Sequence, residues 1–592
     1  MGVGSVDGVI GTDPGERAPG RAAALGSIAL LGLVGLVVAA GIAVALTAGG
    51  AAPAVPGLPD PGIAVRAGLP AVRVATEVVA VLTVGALLAA AVLVPDAHDR
   101  RVAATWAGRG AALWTVLALA MVVLTLADST GMTLRQVADA RRVVDGVGTF
   151  EAATAWLAMA AAAALIALWQ RFGVAPIALL ALSVVAIAPA ALTGHSSAGV
   201  DHDWAADSLM AHIAAAAVWV GGLLAVLVVA CARRPYAVAA IELYSAIALG
   251  CWLVVVGTGV VNAFLRVQPG DLLSTRYGAL LLVKTGAVLL LGGLGYLHRA
   301  RTIPRLAVGR RAPFLRLGAV EVLLMLLTVG VAVGLARSPG PRAEAAPATM
   351  AEGMLGYDLP VRPSVGRVLL DWRPDLVFST LAVGLAVWYL VKVRDRAWPS
   401  GRVTCWLVGC LVLLVATSSG LGKFEPAVLS AHVLVQVLVG FAAAALLARG
   451  RPLELAAVQV RGWPRAWVVA LVYALPLVLL YGVGLYADVA GQHWARQLLL
   501  AWSLAAGFAL FSQPRPRRGP VLFVAGVYLG CGVALLTRDD VLGHEFVHHA
   551  GLAWRHDGST IQTAAGVVAV IAAVAVAVYA GSVGEEREAE LP

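Results

Sequence analysis

Histidine is the least evenly distributed residue type in this 592-residue chain: with the arginine-rich loops on one side of a membrane, nine of the eleven imidazoles fall on the other. Imidazole is the commonest transition-metal ligand and titrates near neutrality, so its gathering at one face predicts metal or proton handling there. The stretch LTGHSSAGVDHDW carries His195 and His202 beside Asp201 and Asp203, and Met210 and His212 follow in MAHIAAAAVWVGGL. Nitrogen and thioether donors of this kind suit a copper ion better than calcium or magnesium, which take oxygen. With an apolar run starting at Asp207, His212 is expected about 8 Å into its helix, facing the same outer vestibule as the loop imidazoles. Solvated loop histidines, with His212 bonded to a neighbouring helix, are the competing reading.

A second constellation is GHEFVHH, in which His544, Glu545 and His548 fit H-E-x-x-H. At helical spacing its two imidazoles share one face for zinc and the glutamate acts as general base. His549 and His556 lie close by, but Gly543 and Gly551 confine the helix to about two turns, and no third ligand has an evident position. A polar loop or adventitious metal binding therefore competes with a membrane zinc metalloprotease. Within apolar stretches, Glu77 and Lys284 lie at similar depth and are expected to pair, Glu321 sits toward the opposite end, and Asn262 adds a polar group. Such residues face partners or cavities.

The elements that position these groups must be membrane helices. The chain is 60% hydrophobic and only 13% charged, outside the range of soluble domains. Its formal charge of +9 sits in short loops between apolar spans, where it sets orientation, so no nucleic-acid partner is expected. The five cysteines form no C-x-x-C pair, which argues against disulfides or a thiolate ferry. Arg17 and Arg21 precede an apolar run in the manner of a signal peptide, but Ala22 to Leu46 is long enough to span, and it is read as a retained first helix.

Spans need about 20 apolar residues. Nine fit in the first half: Ala22 to Leu46, Pro70 to Val94, Trp106 to Ala127, Phe150 to Trp169, Val174 to Leu192, Asp207 to Ala230, Ile241 to Leu265, Arg276 to Leu297 and Phe314 to Ala336. Seven more follow: Asp375 to Val391, Val403 to Thr417, Pro426 to Ala448, Ala466 to Tyr486, Trp494 to Phe511, Pro520 to Thr537 and Thr560 to Ala580. The expectation is an all-α, polytopic integral membrane protein of about 16 transmembrane helices in two bundles, with both termini cytoplasmic. Arg100 and Arg101, Arg233 and Arg234, the run from Arg299 to Arg311, Arg394 and Arg396, Arg449 and Arg451, and Arg515 to Arg518 then share the cytoplasmic side, as the positive-inside rule requires. Arg135, Arg141 and Arg142 are exceptions. Prolines crowd between Arg337 and Pro374, marking an external linker (337–374) between a membrane domain at 1–336 and another at 375–592.

The first half resembles the copper resistance protein D (CopD) family through HIAAAAVWVGGL at His212, TGVVNAFLR at Thr258, RYGALLLVKTG at Arg276 and LGAVEVLLMLLTVGVAVGLARSPGP at the end of the ninth span. That resemblance implies binding or movement of copper at the inner membrane, with His212 and His195 as candidate ligands. The second half resembles the CtaG-type cytochrome c oxidase assembly factors from DWRPDLVFSTLAVGLAVWYLVKVRDRAWPSGR at Asp371 through SSGLGKFEPAVLSAHVLVQ. The family pattern is histidine and methionine, repeated four residues on, one helical turn apart. Here His432 remains, while Val433, Gln436 and Val437 stand at the other three positions; His493 remains, while Arg496, Gln497 and Ser503 replace further histidines. The resemblance thus implies a second module with a thinned metal site and a scaffold or docking role.

The resulting expectation is copper-ion binding or transport at the extracytoplasmic face of the plasma (inner) membrane, supporting copper homeostasis and cytochrome c oxidase assembly, without catalysis. Candidate metal residues are His195, His202, Met210, His212, His432, His493, His544 and His548. Expected partners are a periplasmic copper-binding donor, terminal oxidase subunits and membrane lipid. The alternatives are a non-metal scaffold subunit of a respiratory complex and the zinc metalloprotease.

Overall fold

The computed structural model describes residues 18–48, 59–193, 200–338, 341, 347–456, 465–513, 517–552, 554 and 558–588, and every regular element among them is helical. Hydrocarbon offers backbone amides no water, so a spanning segment must satisfy them internally. Among the described residues, 14 helices are long and apolar enough to cross a membrane. The span expected at Ala22 to Leu46 lies within the helix Ala18–Ala48, and of the two shorter apolar stretches, Gly32–Thr47 is part of that helix while the second, Pro176–Ile187, stands where Val174 to Leu192 was expected. The second is short because the chain tightens into a 3-10 turn at Ala188–Thr193. The chain is an all-helical, multi-pass membrane protein.

It forms two compact units, one of residues 1–197 and 208–343 and the other of residues 198–207 and 344–592. In the first, Trp114, Trp156 and Ile166 anchor an apolar core. Gly85 and Gly221 bring two helices so close that a Cβ on either would collide with the other's backbone, the small-residue approach by which helices associate in lipid. Asp96 caps the Ala97–Thr130 helix by accepting from the Asp99 amide at 2.9 Å. Two helices of this unit bury little: 22% of the apolar window of Ala237–Arg266 and 6% of that of Arg276–Ala307.

In the second unit the proline-rich stretch contains two short helices, Met350–Leu355 and Val365–Leu370, capped by Thr349 and Ser364. Leu355 and Leu359 enter the apolar core beside Phe424 and Trp554. Pro476 lies inside the Ala466–Leu477 helix, which continues as a π turn, Val478–Val483, and stops at Gly484 with φ 101°. A π turn carries an extra residue per turn and re-aims side chains; here it presents Tyr481 to His432, with ring centroids 6.1 Å apart.

Candidate functional site

The first unit holds a polar ladder between two helices. Ser208 and His212 are one turn apart on the His202–Cys231 helix, and Thr258 and Asn262 one turn apart on Ala237–Arg266. Asn262 Nδ2 donates to Ser208 Oγ at 2.7 Å and to the Thr258 carbonyl at 2.9 Å. His212 Nδ1 lies 3.0 Å from Thr258 Oγ1. Thr258 gives its single hydroxyl hydrogen to the Val254 carbonyl at 2.6 Å; its oxygen therefore accepts from the ring, and His212 is the Nδ1–H tautomer. The lone pair is left on Nε2, which makes no hydrogen bond within the described residues. An imidazole fixed through one nitrogen with the other open is the arrangement in which histidine ligates a metal.

Two acids within the spans of this unit already have partners. Glu77 takes Arg73, one turn earlier on its own helix, at 3.1 Å, rather than Lys284: a partner at i,i+4 needs no neighbouring helix to reach it. Lys284 is half-buried and forms no ion pair among the described residues. Glu321 meets His298, Oε2 to Nε2 at 3.5 Å, both buried. His298 Nδ1 lies 2.6 Å from Thr302 Oγ1, whose hydrogen reaches the His298 carbonyl at 3.2 Å.

The second unit holds a denser centre around a cavity of about 60 Å³ lined by Asp203, Asp207, Tyr357, Arg373, Asp375, Glu425, His493, Arg496 and Gln497, room for a few waters at most. Arg373 grips Asp203 through Nε and Nη2 at 2.9 and 2.7 Å and reaches Asp201 at 3.0 Å, while its guanidinium lies over the rings of Trp204 and Tyr357 at 4.6 and 4.5 Å. Arg496 lies among lone-pair donors: Glu425 Oε2 at 3.4 Å, His493 Nδ1 at 3.4 Å and the Ala490 carbonyl. Since His493 Nδ1 accepts from Arg496, its Nε2–H donates to Asp207 at 2.6 Å, and both nitrogens are used. His432 binds Glu425 through Nδ1. Its Nε2 is buried without a partner and walled by the rings of Tyr481 and Tyr486.

Electrostatics in this centre pull two acids apart. Burial, then the nearby Asp207 carboxylate, push Asp375 up to about 7, against the Phe378 amide and Gln497 hydrogen bonds. Burial also acts to raise Glu425, but the charge and hydrogen bond of His432, then the charge of Arg496, outweigh it and hold this acid below its ordinary range. The same cavity thus favours one protonated and one ionised carboxyl.

Residues 63–204 match the copper resistance protein D-like N-terminal domain, residues 238–335 match copper resistance protein D, and residues 384–583 match the cytochrome c oxidase caa3 assembly factor (Caa3_CtaG). The chain is a CopD-like domain fused to a CtaG-type domain. Uncharacterized proteins of Mycobacterium bovis and Mycobacterium tuberculosis are each 26% identical over 550 residues, 84% of this chain and 81% of the relative. One of Mycobacterium leprae is 24% identical over 485 residues, 74% of this chain and 71% of the relative. No solved structure matches the chain. Both families are non-catalytic transport and assembly factors, which, with the membrane helices, makes this a non-enzymatic, copper-related protein of the plasma membrane.

In the CopD-like half His195 lies outside the described residues. His202 is buried and begins the helix on which His212 stands, so the helix starts earlier than the apolar run at Asp207. Ten residues along one helix rise about 15 Å, too far for those two rings to bind one ion together. Met210 is half-buried. In the CtaG-type half the positions where histidines thin out do converge, but as hydrogen-bond partners: Ser503 Oγ meets Gln436 at 2.9 Å, and Gln497 reaches Asp375. His544, Glu545, His548 and His549 are all exposed on the six-residue helix His544–His549, with the His544 and His548 rings 6.2 Å apart; His556 lies outside the described residues. Among the described residues no group of three or more His, Cys, Asp or Glu could hold a metal ion.

Arg373, Asp375 and Glu425 went unread as site residues. DWRPD around Arg373 and KFEP around Glu425 are the signals: charges next to proline at the mouth of a span, where an unpartnered charge is costly.

Proposed function

We propose that the CopD-like half takes up copper ion from the extracytoplasmic side through His212 and that the CtaG-type half presents the protein to a terminal oxidase. The observation that carries this reading is the His212 ring, held by Thr258 so that Nε2 offers its lone pair. One imidazole is an incomplete shell for copper, so the ion arrives with or gains further donors, His195 and Met210 being the candidates that remain once His202 is set aside. Transient, under-coordinated binding suits a cargo that must be passed on. A periplasmic copper-binding donor supplies the ion in this scheme, and sixteen helices in two bundles (domains 1–336 and 375–592 joined by 337–374) place both termini in the cytoplasm.

For the CtaG-type half a non-metal scaffold role is favoured by Arg496. Its fixed positive charge stands between His493 and Glu425 and repels a second cation at short range. His432 and His493 then serve as hydrogen-bond partners, and His544 and His548 as solvated surface groups.

The test is metal analysis of the detergent-purified full chain beside His212→Ala, His493→Ala and His544→Ala/His548→Ala, together with oxidase activity in a deletion strain with and without added copper. Copper retention lost only with His212, and an oxidase defect rescued by copper, are expected. Retention independent of His212 would remove the binding site, and unchanged oxidase activity would remove the delivery role.

A further inference from the structure

Between the last two spans of the CopD-like half the chain does not make a tight turn. The Arg276–Leu297 helix passes through a π turn, His298–Thr302, into the short helix Ile303–Ala307, turns at Gly309 with φ 86°, and re-enters as Ala312–Ala336 with Pro313 in its first turn. From His298 to Val320 the sequence carries six arginines and no acid. One of them, Arg299, is spent on the protein itself, donating to Ser245 Oγ and carbonyl at 2.9 and 2.7 Å.

Three others converge. Arg301 and Arg305, one turn apart on the first arm, and Arg316 on the second line an open groove of about 350 Å³ whose remaining wall includes Leu297, Leu317 and Val320. All three arginines are exposed, and none makes an ion pair or side-chain hydrogen bond among the described residues. Guanidinium groups left together without a counter-charge repel one another and are stabilised by an anion, above all by a phosphate, whose oxygens match their paired N–H donors. A free phosphate would use the arginines and leave the apolar wall wet. The wall continues down helices that bury little: Leu289, Leu290 and Tyr296 are exposed along the same arm.

We propose that this groove is a binding site for an anionic phospholipid, the phosphate held by Arg301, Arg305 and Arg316 and an acyl chain lying on Leu297, Leu317 and Val320. A turn joining two spans lies at the headgroup level of the bilayer, so the charged rim and the apolar wall fall at the depths of the corresponding parts of a lipid. The site is separate from the polar ladder at His212 and does not depend on copper.

The full-length protein in nanodiscs of phosphatidylcholine doped with phosphatidylglycerol is released into the gas phase and its retained lipids are counted by native mass spectrometry. Wild type is expected to retain phosphatidylglycerol over phosphatidylcholine. Each of Arg301→Gln, Arg305→Gln and Arg316→Gln should weaken that preference about fivefold, and the triple variant on the order of a hundredfold. Arg310→Gln/Arg311→Gln, which changes arginines of the same turn outside the groove, should keep it. If the triple variant fails to fold, the single variants carry the same test. Equal loss in the Arg310/Arg311 control would mean diffuse surface charge rather than a site. Displacement of the lipid by inorganic phosphate alone would mean a soluble-anion site. Either result, or unchanged preference in the groove variants, overturns the proposal.

Discussion

The polar ladder of the CopD-like half and the charged cavity of the CtaG-type half are built from the same residue types to opposite effect. In the ladder, neutral groups anchor His212 by one nitrogen, and the positive charge of Lys284 acts on the ring only from beyond hydrogen-bond contact. In the cavity His493 uses both nitrogens, and Arg496 brings its own cation to the carboxylate that His432 also uses. Counting histidines therefore does not locate a metal site: His432 also has an unpartnered Nε2, but it is walled in by Tyr481 and Tyr486 and shares its carboxylate with a guanidinium.

The largest effect that would sharpen this comparison belongs to Glu425, the shared acceptor of His432 and Arg496. Glu425→Ala should destabilise the CtaG-type half by about 3–5 kcal/mol, because it leaves a buried guanidinium uncompensated; denaturation of the purified protein in detergent reads it. A harmless substitution would mean that Arg496 is not held by this charge and that the cavity is not saturated. The next effect is on the other side. Thr258→Val keeps the shape of the residue but removes the acceptor that orients His212, so copper affinity should fall about 10–100-fold while the unfolding midpoint barely moves, as titration calorimetry and thermal unfolding would show. Affinity unchanged in Thr258→Val would break the tautomer assignment.

The smallest effect is a pH slope. Asp375 has its acid raised to about 7, mainly by burial and then by Asp207. It therefore binds a proton on folding: its contribution to stability is complete below the unfolded value near 4 and is lost as pH climbs through 7. Glu425, held low, contributes in the opposite sense, its stabilisation being present at neutral pH and lost on acidification below the ordinary glutamate range. Asp375→Asn should flatten the decline of the unfolding midpoint between about pH 5 and 8 by a few degrees, leaving the acid limb intact. An undiminished decline would show that another group sets it.

The membrane helices were legible because an apolar run of spanning length has few other uses, and His212 was legible because an imidazole within such a run stands out. What no linear pattern carries is the register that sets His212 against Thr258, 46 positions away. Asp201 and Asp203 read as companions of the loop histidines, yet their partner is Arg373, 172 and 170 positions on. Pairings of that separation depend on which helices become neighbours, and membrane helices are too uniformly apolar for sequence periodicity to announce a neighbour. The substitution of arginine at 496 was visible as a letter; that its guanidinium is enclosed by a carboxylate, an imidazole and a carbonyl was not.

The His298 corner permits a count of hydrogens. Thr302 sends its only hydroxyl hydrogen to a carbonyl, so the near ring nitrogen donates to it. The far nitrogen faces the Glu321 carboxyl across 3.5 Å. A buried polar pair therefore ties two neighbouring helices at a point where lipid offers no substitute partner, and sliding either one by a turn would strand both groups in hydrocarbon.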